Sequence, residues 1–172
     1  MTDRRARFER MVAPHASAAY NLARWLTRND HDAEDVAQEA MLRAYRHLDA
    51  LRGEARPWLL AIVRNACFSW LRANRPAEIE PLEDEVADAL PGPEASAARA
   101  LDRRLLNDAI AALPVQFREV LVLRELEDLS YRDIARIAEI PIGTVMSRLA
   151  RARRLLGESM RAVSTPRLKV HK

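Results

Sequence analysis

Thr144, Ser147, Arg148 and Arg151 are spaced so that two hydroxyls and two guanidiniums gather on one face of a helix. Such a face suits hydrogen bonding to phosphate oxygens and to base edges in a DNA major groove. One arginine forked onto guanine contributes about 1–3 kcal/mol of discrimination. Residues 142–172 carry eight basic side chains against Glu158 alone. The plainer alternative is the charged outer face of an ordinary helical hairpin. The lack of any acid on the face before Glu158 weighs against it.

The residues just upstream must position that face. Ser130 is a helix N-cap, and Asp133 three residues later completes a weaker form of the capping box. Ala135 is small where two helices have to cross closely. Ile140 plugs the core from the turn, while Val145 and Leu149 face inward from the second helix. Pro141 prevents the first helix from simply continuing. These features spell a helix-turn-helix. Glu139 stands where such turns often carry Gly; if it adopts the left-handed conformation, the strain is about 1 kcal/mol.

The rest of the chain reads as helical. Ala, Leu and Arg are abundant, and Gly occurs only four times in 172 residues, which disfavours a loop-rich β architecture. Between residues 32 and 51, Ala33, Val36, Ala37, Ala40, Met41, Ala44, Tyr45 and Leu48 trace a helical apolar stripe, entered through Asp30, His31 and Asp32. A similar stripe of Ala18, Ala19, Leu22, Ala23 and Leu26 precedes it, and a third helix is expected over 57–71 after a break at Gly53. Residues 76–96 combine four prolines with acids and no base, the composition of a flexible tether, with a short helix at 82–90 left open. Further helices are expected at 98–112, 114–125, 131–138 and 142–156, and a frayed basic tail at 164–172. The resulting fold class is all-α: two small helical domains, 1–75 and 97–163, on an acidic linker.

Other chemistry finds little footing. Cys67 is the sole cysteine, so an intramolecular disulfide is excluded, and its apolar setting marks a core residue. His15, His31, His47 and His171 lack ligand spacing, and neither a phosphate-binding glycine loop nor a nucleophile elbow occurs. No catalytic residue, metal or cofactor is therefore expected. With no apolar run of about 18 residues and no apolar leader, the expected location is the cytoplasm.

Two separate stretches resemble one family. L-P-V-Q-F-R-E-V-L-V-L-R-E-L-E-D-L-S-Y-R-D-I-A, followed by I-P-I-G-T-V-M-S-R-L-A-R-A-R, resembles the promoter-binding domain of sigma-70-family factors. D-A-E-D-V-A-Q-E-A-M-L-R-A-Y, at 32–45, resembles the family's polymerase-binding helix, and P-W-L-L-A-I-V-R-N-A-C-F-S-W-L-R, at 57–72, its −10 helix. Their order and the chain's brevity match the extracytoplasmic-function group.

The resemblance implies a non-enzymatic initiation factor that directs core polymerase to promoters and assists melting. It implies that Asp35, Gln38 and Glu39 meet the clamp helices of the β′ subunit. It assigns Arg56, Arg64, Asn65 and Arg72 to the −10 element, and Thr144, Ser147, Arg148 and Arg151 to the −35 element. Met146 replaces a residue that is frequently basic. Trp58 and Phe68 follow the apolar side and read as core, while Trp70 is open between core and stacking. The family also implies an anti-sigma factor. The competing reading, a dimeric helix-turn-helix regulator on an operator, explains the second domain equally well but leaves residues 32–72 without a role.

Overall fold

The computed structural model describes residues 2–79 and 99–164. Its described helices are α1 (Thr2–Met11), α2 (Ala16–Thr27), α3 (Asp30–Arg46), α4 (Ala55–Asn74), α5 (Arg99–Ala112), α6 (Val115–Leu121), α7 (Tyr131–Ala138) and α8 (Ile142–Ser164), with no strand among the described residues. Most of the tether expected at 76–96, the optional helix at 82–90 and the tail from residue 165 lie outside the described residues.

The first unit is built on small residues. Ala33, Ala37, Ala40 and Ala44 line the buried side of α3, so α2 and α4 can approach it closely and interdigitate Leu22, Leu26, Leu59, Leu60, Val63 and Leu71. The cap of α3 differs from expectation: Asn29 is the N-cap, its Oδ1 accepting from the Asp32 N–H at 3.0 Å, and Asp30 already lies inside the helix. Asp30 and Asp32 thereby favour the positive end of the helix dipole. Arg4 of α1 donates to the carbonyls of Tyr45 and Arg46 at 3.2 and 3.1 Å, closing the opposite end. Tyr45 is not core as its place in the stripe implied. It is exposed, with its ring edge-on to Phe8 at 5.3 Å.

In the second unit, α6 and α8 enclose Val115, Phe117, Val120, Leu121, Val145, Leu149 and Ala152. The helix expected over 114–125 is interrupted: α6 widens into a π-helical turn at Val122–Leu126, where the Glu127 N–H reaches back to Val122 O at 3.1 Å. The extra residue in the turn carries Leu126 outward and Glu127 inward. The final helix runs past the expected end at 156 and through Gly157, a weak helix former, because Leu155, Leu156 and Met160 remain partly covered.

Both units contribute to one continuous buried core. Helix α7 packs on α4, and α6 packs on α2. At this seam Arg118 donates to Leu26 O at 3.4 Å and Arg28 to Ala111 O at 3.3 Å.

Candidate nucleic-acid interface

The helix-turn-helix forms as its local chemistry dictates. Ser130 Oγ accepts from the Asp133 N–H at 3.1 Å, capping α7. Glu139 adopts the left-handed conformation, φ 58° and ψ 45°, so a non-glycine residue carries the strain the turn requires. The Ile140 N–H bonds back to Ala135 O at 3.1 Å, the six-to-one bond of a Schellman closure. Pro141 O then accepts from Thr144 and Val145 at 3.0 and 3.1 Å and starts α8. Ile134, Ile137, Val145 and Leu149 are buried between the two helices, which fixes their crossing.

This packing turns the other side of α8 outward. Ser147 and Met146 are exposed, and Thr144 is partly covered; the Ser147 hydroxyl donates to Thr144 O at 3.1 Å. Arg148 and Arg151 are half-buried. Arg151 lies over the Phe117 ring at 5.4 Å, and the charge of Arg148 is felt by Glu119. The hydroxyls and guanidiniums thus share a helix face, with the arginines leaning toward α6.

The first unit divides its expected residues between two sides. Asp35 and Gln38 are exposed on α3, opposite buried Val36 and Ala40, and Glu39 is half-buried beside Arg43 at 3.0 Å. Asp35 sits 3.6 Å from His31. The same face continues through Leu42 and Tyr45, 49% and 37% exposed, giving an acidic half and an apolar half. Sequence periodicity alone did not single out Leu42.

On α4, Asn65 and Arg72 are open to solvent, but Arg56 and Arg64 are not. Arg56 Nη2 donates to Glu127 Oε2 at 2.6 Å. Arg64 reaches the Glu119 carboxylate at 3.2 and 3.4 Å and stacks over Phe68 at 3.8 Å. The structure therefore brings together two, not four, of these side chains, at the seam with the second unit. Phe68 is core, and Trp58 is partly buried at the mouth of a cleft of about 420 Å³ shared by Arg52, Gly53, Asp133 and Arg136. Trp70 is partly buried, with Arg75 over its ring at 4.9 Å.

Three charged residues at the centre of this arrangement have no counterpart among the expected sites: Arg118, Glu119 and Glu127, all buried. Their signal was present in the sequence, since Arg118 and Glu119 interrupt the apolar run from Val115 to Leu123. Burial pushes the Glu119 carboxyl up to about 7, against the pull of Arg64 and Arg148. Burial also lowers Arg118 to about 10 and raises the Cys67 thiol to about 12, so Cys67 is no nucleophile.

Comparison with known proteins places both halves. Sigma-70 region 2 matches residues 11–76, and sigma-70 region 4 matches residues 103–156. An ECF RNA polymerase sigma-E factor of Haemophilus influenzae is 36% identical over 78% of this chain and 77% of its own length. The RNA polymerase sigma-H factor of Pseudomonas aeruginosa is 34% identical over 92% of this chain and 88% of its own. Among solved structures, the sigma factor RpoE of Bartonella quintana, in complex with the anti-sigma factor NepR, superposes on 90% of this chain and 96% of its own with a TM-score of 0.71 at 25% identity. The region 2 match gives residues 32–72 the role that a dimeric operator-binding regulator leaves empty. With an all-helical fold, two matched regions in order and relatives along most of its length, the chain belongs to the sigma-70 family, as an RNA polymerase sigma factor of the extracytoplasmic-function type.

Proposed function

We propose that the chain works as two readers on one polymerase. Residues 1–75 dock on core polymerase and capture the −10 element, residues 97–163 read the −35 element, residues 76–96 tether them, and 164–172 form a basic tail. Thr144, Ser147, Arg148 and Arg151 enter the −35 major groove. Arg56, Arg64, Asn65 and Arg72 face the −10 strand. Asp35, Gln38 and Glu39 meet basic groups on the β′ clamp helices, with Leu42 and Tyr45 extending that contact. The observation that carries the reading is the capped α7–turn–α8 unit, which holds hydroxyls and arginines on one face of a recognition helix.

Strand capture needs no catalysis by this chain. Melted bases stack on guanidinium and aromatic planes, each worth about 1–3 kcal/mol, and that binding draws the duplex open. The chain acts in the cytoplasm, where no helix among its described residues is long and apolar enough to cross a membrane. An anti-sigma factor holds it inactive, as the solved complex with NepR supports for a protein of the same fold. Run-off transcription from a genomic promoter library, with core polymerase alone and with this protein added, tests the whole reading. New starts sharing −35 and −10 elements are expected only with the protein. Absence of both new starts and co-elution with core would refute it.

A further inference from the structure

The most open positions at the start of α8 are not its arginines. Between residues 142 and 150, those open to solvent are Ile142, Gly143, Met146, Ser147 and Ala150, one stripe at helical spacing opposite buried Val145 and Leu149. Arg148 and Arg151 are half-buried at its flank. We infer that Ile142 and Met146 read thymine through its 5-methyl group in the −35 major groove, and that Gly143 and Ala150 are small so that α8 can lie close enough to reach it. The inference rests on the −35 assignment of this helix, and its test separates the two.

The apolar pair carries the argument. Ile142 and Met146 stand four residues apart, 46% and 53% exposed, in the first turns of the second helix of the helix-turn-helix. That end of a recognition helix is the one that meets base edges. The helix carries no acid before Glu158 and has arginines beside the pair, so the surface is complementary to a polyanion and not to an apolar partner helix. Within a major groove the thymine methyl is the apolar group on offer.

Gly143 supplies an independent observation. A Cβ there would meet nothing within 4 Å, and the residue sits in regular helix without the positive φ that Gly53 shows at 72°. Neither packing nor backbone conformation therefore asks for glycine, the weakest helix former after proline. The space it leaves open lies on the stripe itself, where the floor of a groove would approach.

Ser147 fits the same base pair. Its hydroxyl donates to Thr144 O at 3.1 Å, so it turns lone pairs outward. Those lone pairs accept from a base-edge amine such as adenine N6, and adenine brings a thymine methyl on the opposite strand. The stripe thus selects A·T pairs and leaves guanine and phosphate to Arg148 and Arg151.

The test uses the full chain on core polymerase and a labelled promoter duplex taken from its own transcription starts. Each −35 thymine, on either strand, is replaced in turn by deoxyuridine, which deletes the methyl and keeps every hydrogen-bonding group. In wild type one or two replacements should weaken binding about fourfold each, the equivalent of about 0.8 kcal/mol for one methyl-sized group taken out of water. In Ile142→Ala/Met146→Ala, with helix content by circular dichroism unchanged, thymine and deoxyuridine should bind alike. Gly143→Leu, whose side chain enters open space in the free protein, should keep its fold and lose preference for the native over a scrambled −35 element. Silent replacements throughout, or a loss undiminished in the double variant, overturn the methyl contact if scrambling the −35 element still weakens wild type. A Gly143→Leu variant that retains full −35 preference overturns the close approach. Should scrambling cost wild type nothing, the −35 assignment itself falls, and the inference with it.

Discussion

Arg118→Met should destabilise the second unit by about 2–4 kcal/mol. Arg118 is 2% exposed and forms no ion pair with a carboxylate among the described residues; its Nη1 instead donates to the carbonyls of Ala111 and Leu113 at 2.8 and 2.7 Å. Those carbonyls close α5 and the turn into α6, where the helix dipole is negative, so a cation is well placed. Each hydrogen bond from a charged donor is worth about 1.5–3 kcal/mol. Against the sum stands the burial of the charge, which lowers its pKa to about 10, and the Nε, which has no acceptor among the described residues. Methionine preserves most of the stem volume, so the loss measured is that of the polar head; Ala would add a cavity. Urea unfolding of the intact chain, followed at 222 nm, reads the difference through the midpoint at constant m. Arg118→Lys keeps the charge but not the fork and should recover less than half. A loss below about 1 kcal/mol for Met would refute the view that this buried arginine ties the α5–α6 corner.

Arg148→Ala should relax preference at one −35 position by about 1–3 kcal/mol in a promoter-variant binding series, whereas Glu39→Ala should weaken core binding and leave the urea midpoint unchanged; equal loss of core binding in both would contradict the division of roles. Glu139→Gly should raise stability by about 0.5–1 kcal/mol, because φ 58° is strained for Glu and free for Gly, and a lower melting temperature would count against that strain. Glu119 makes stability respond to pH in the sense opposite to a simple ion pair. Its carboxyl, raised from 4.5 to about 7, holds a proton better when buried, so the stability it contributes is complete below 4.5 and is lost as pH rises through about 7. Arg64 of α4 and Arg148 of α8 oppose this shift, and the neighbouring Cys67 thiol remains protonated throughout. The urea midpoint should accordingly fall as pH rises from about 4.5 to about 7 and level off above that, and Glu119→Gln should flatten the fall; an equally steep profile in that variant would remove Glu119 as the source.

What could be read from the sequence was what local chemistry decides. The Ser130 cap, the left-handed Glu139 and the inward Val145 and Leu149 each depend on residues within about one or two turns, and each stands where expected. Tyr45 failed because it follows Ala44, the centre of the buried stripe, by one residue, which rotates it about 100° toward solvent. Helix α1 was illegible for another reason: its first residues are charged, and what holds it is remote, namely Arg4 on the end of α3 and Phe8 against Tyr45. The widened turn at Val122–Leu126 has no sequence rule behind it, yet it delivers Glu127 to Arg56.

The seam shows why residue types alone stop short of a site. Arg56 and Arg64 are legible as cations on a helix, and Glu119 is legible as an acid lodged in an apolar run; neither observation states that they meet. A buried carboxylate on α6 would be costly unless something positive covered it, and nothing on α6 itself does so. Arg64 from α4 lies directly against it, with Arg148 on α8 adding to the positive field. Glu119 is therefore better understood as belonging to the contact between the units than to the core of either. That places the arginine assigned to the −10 strand and the arginine assigned to the −35 groove around one acid. A single side chain thus feels both arginines, and losing Arg64 would leave burial less opposed and Glu119 holding its proton more tightly.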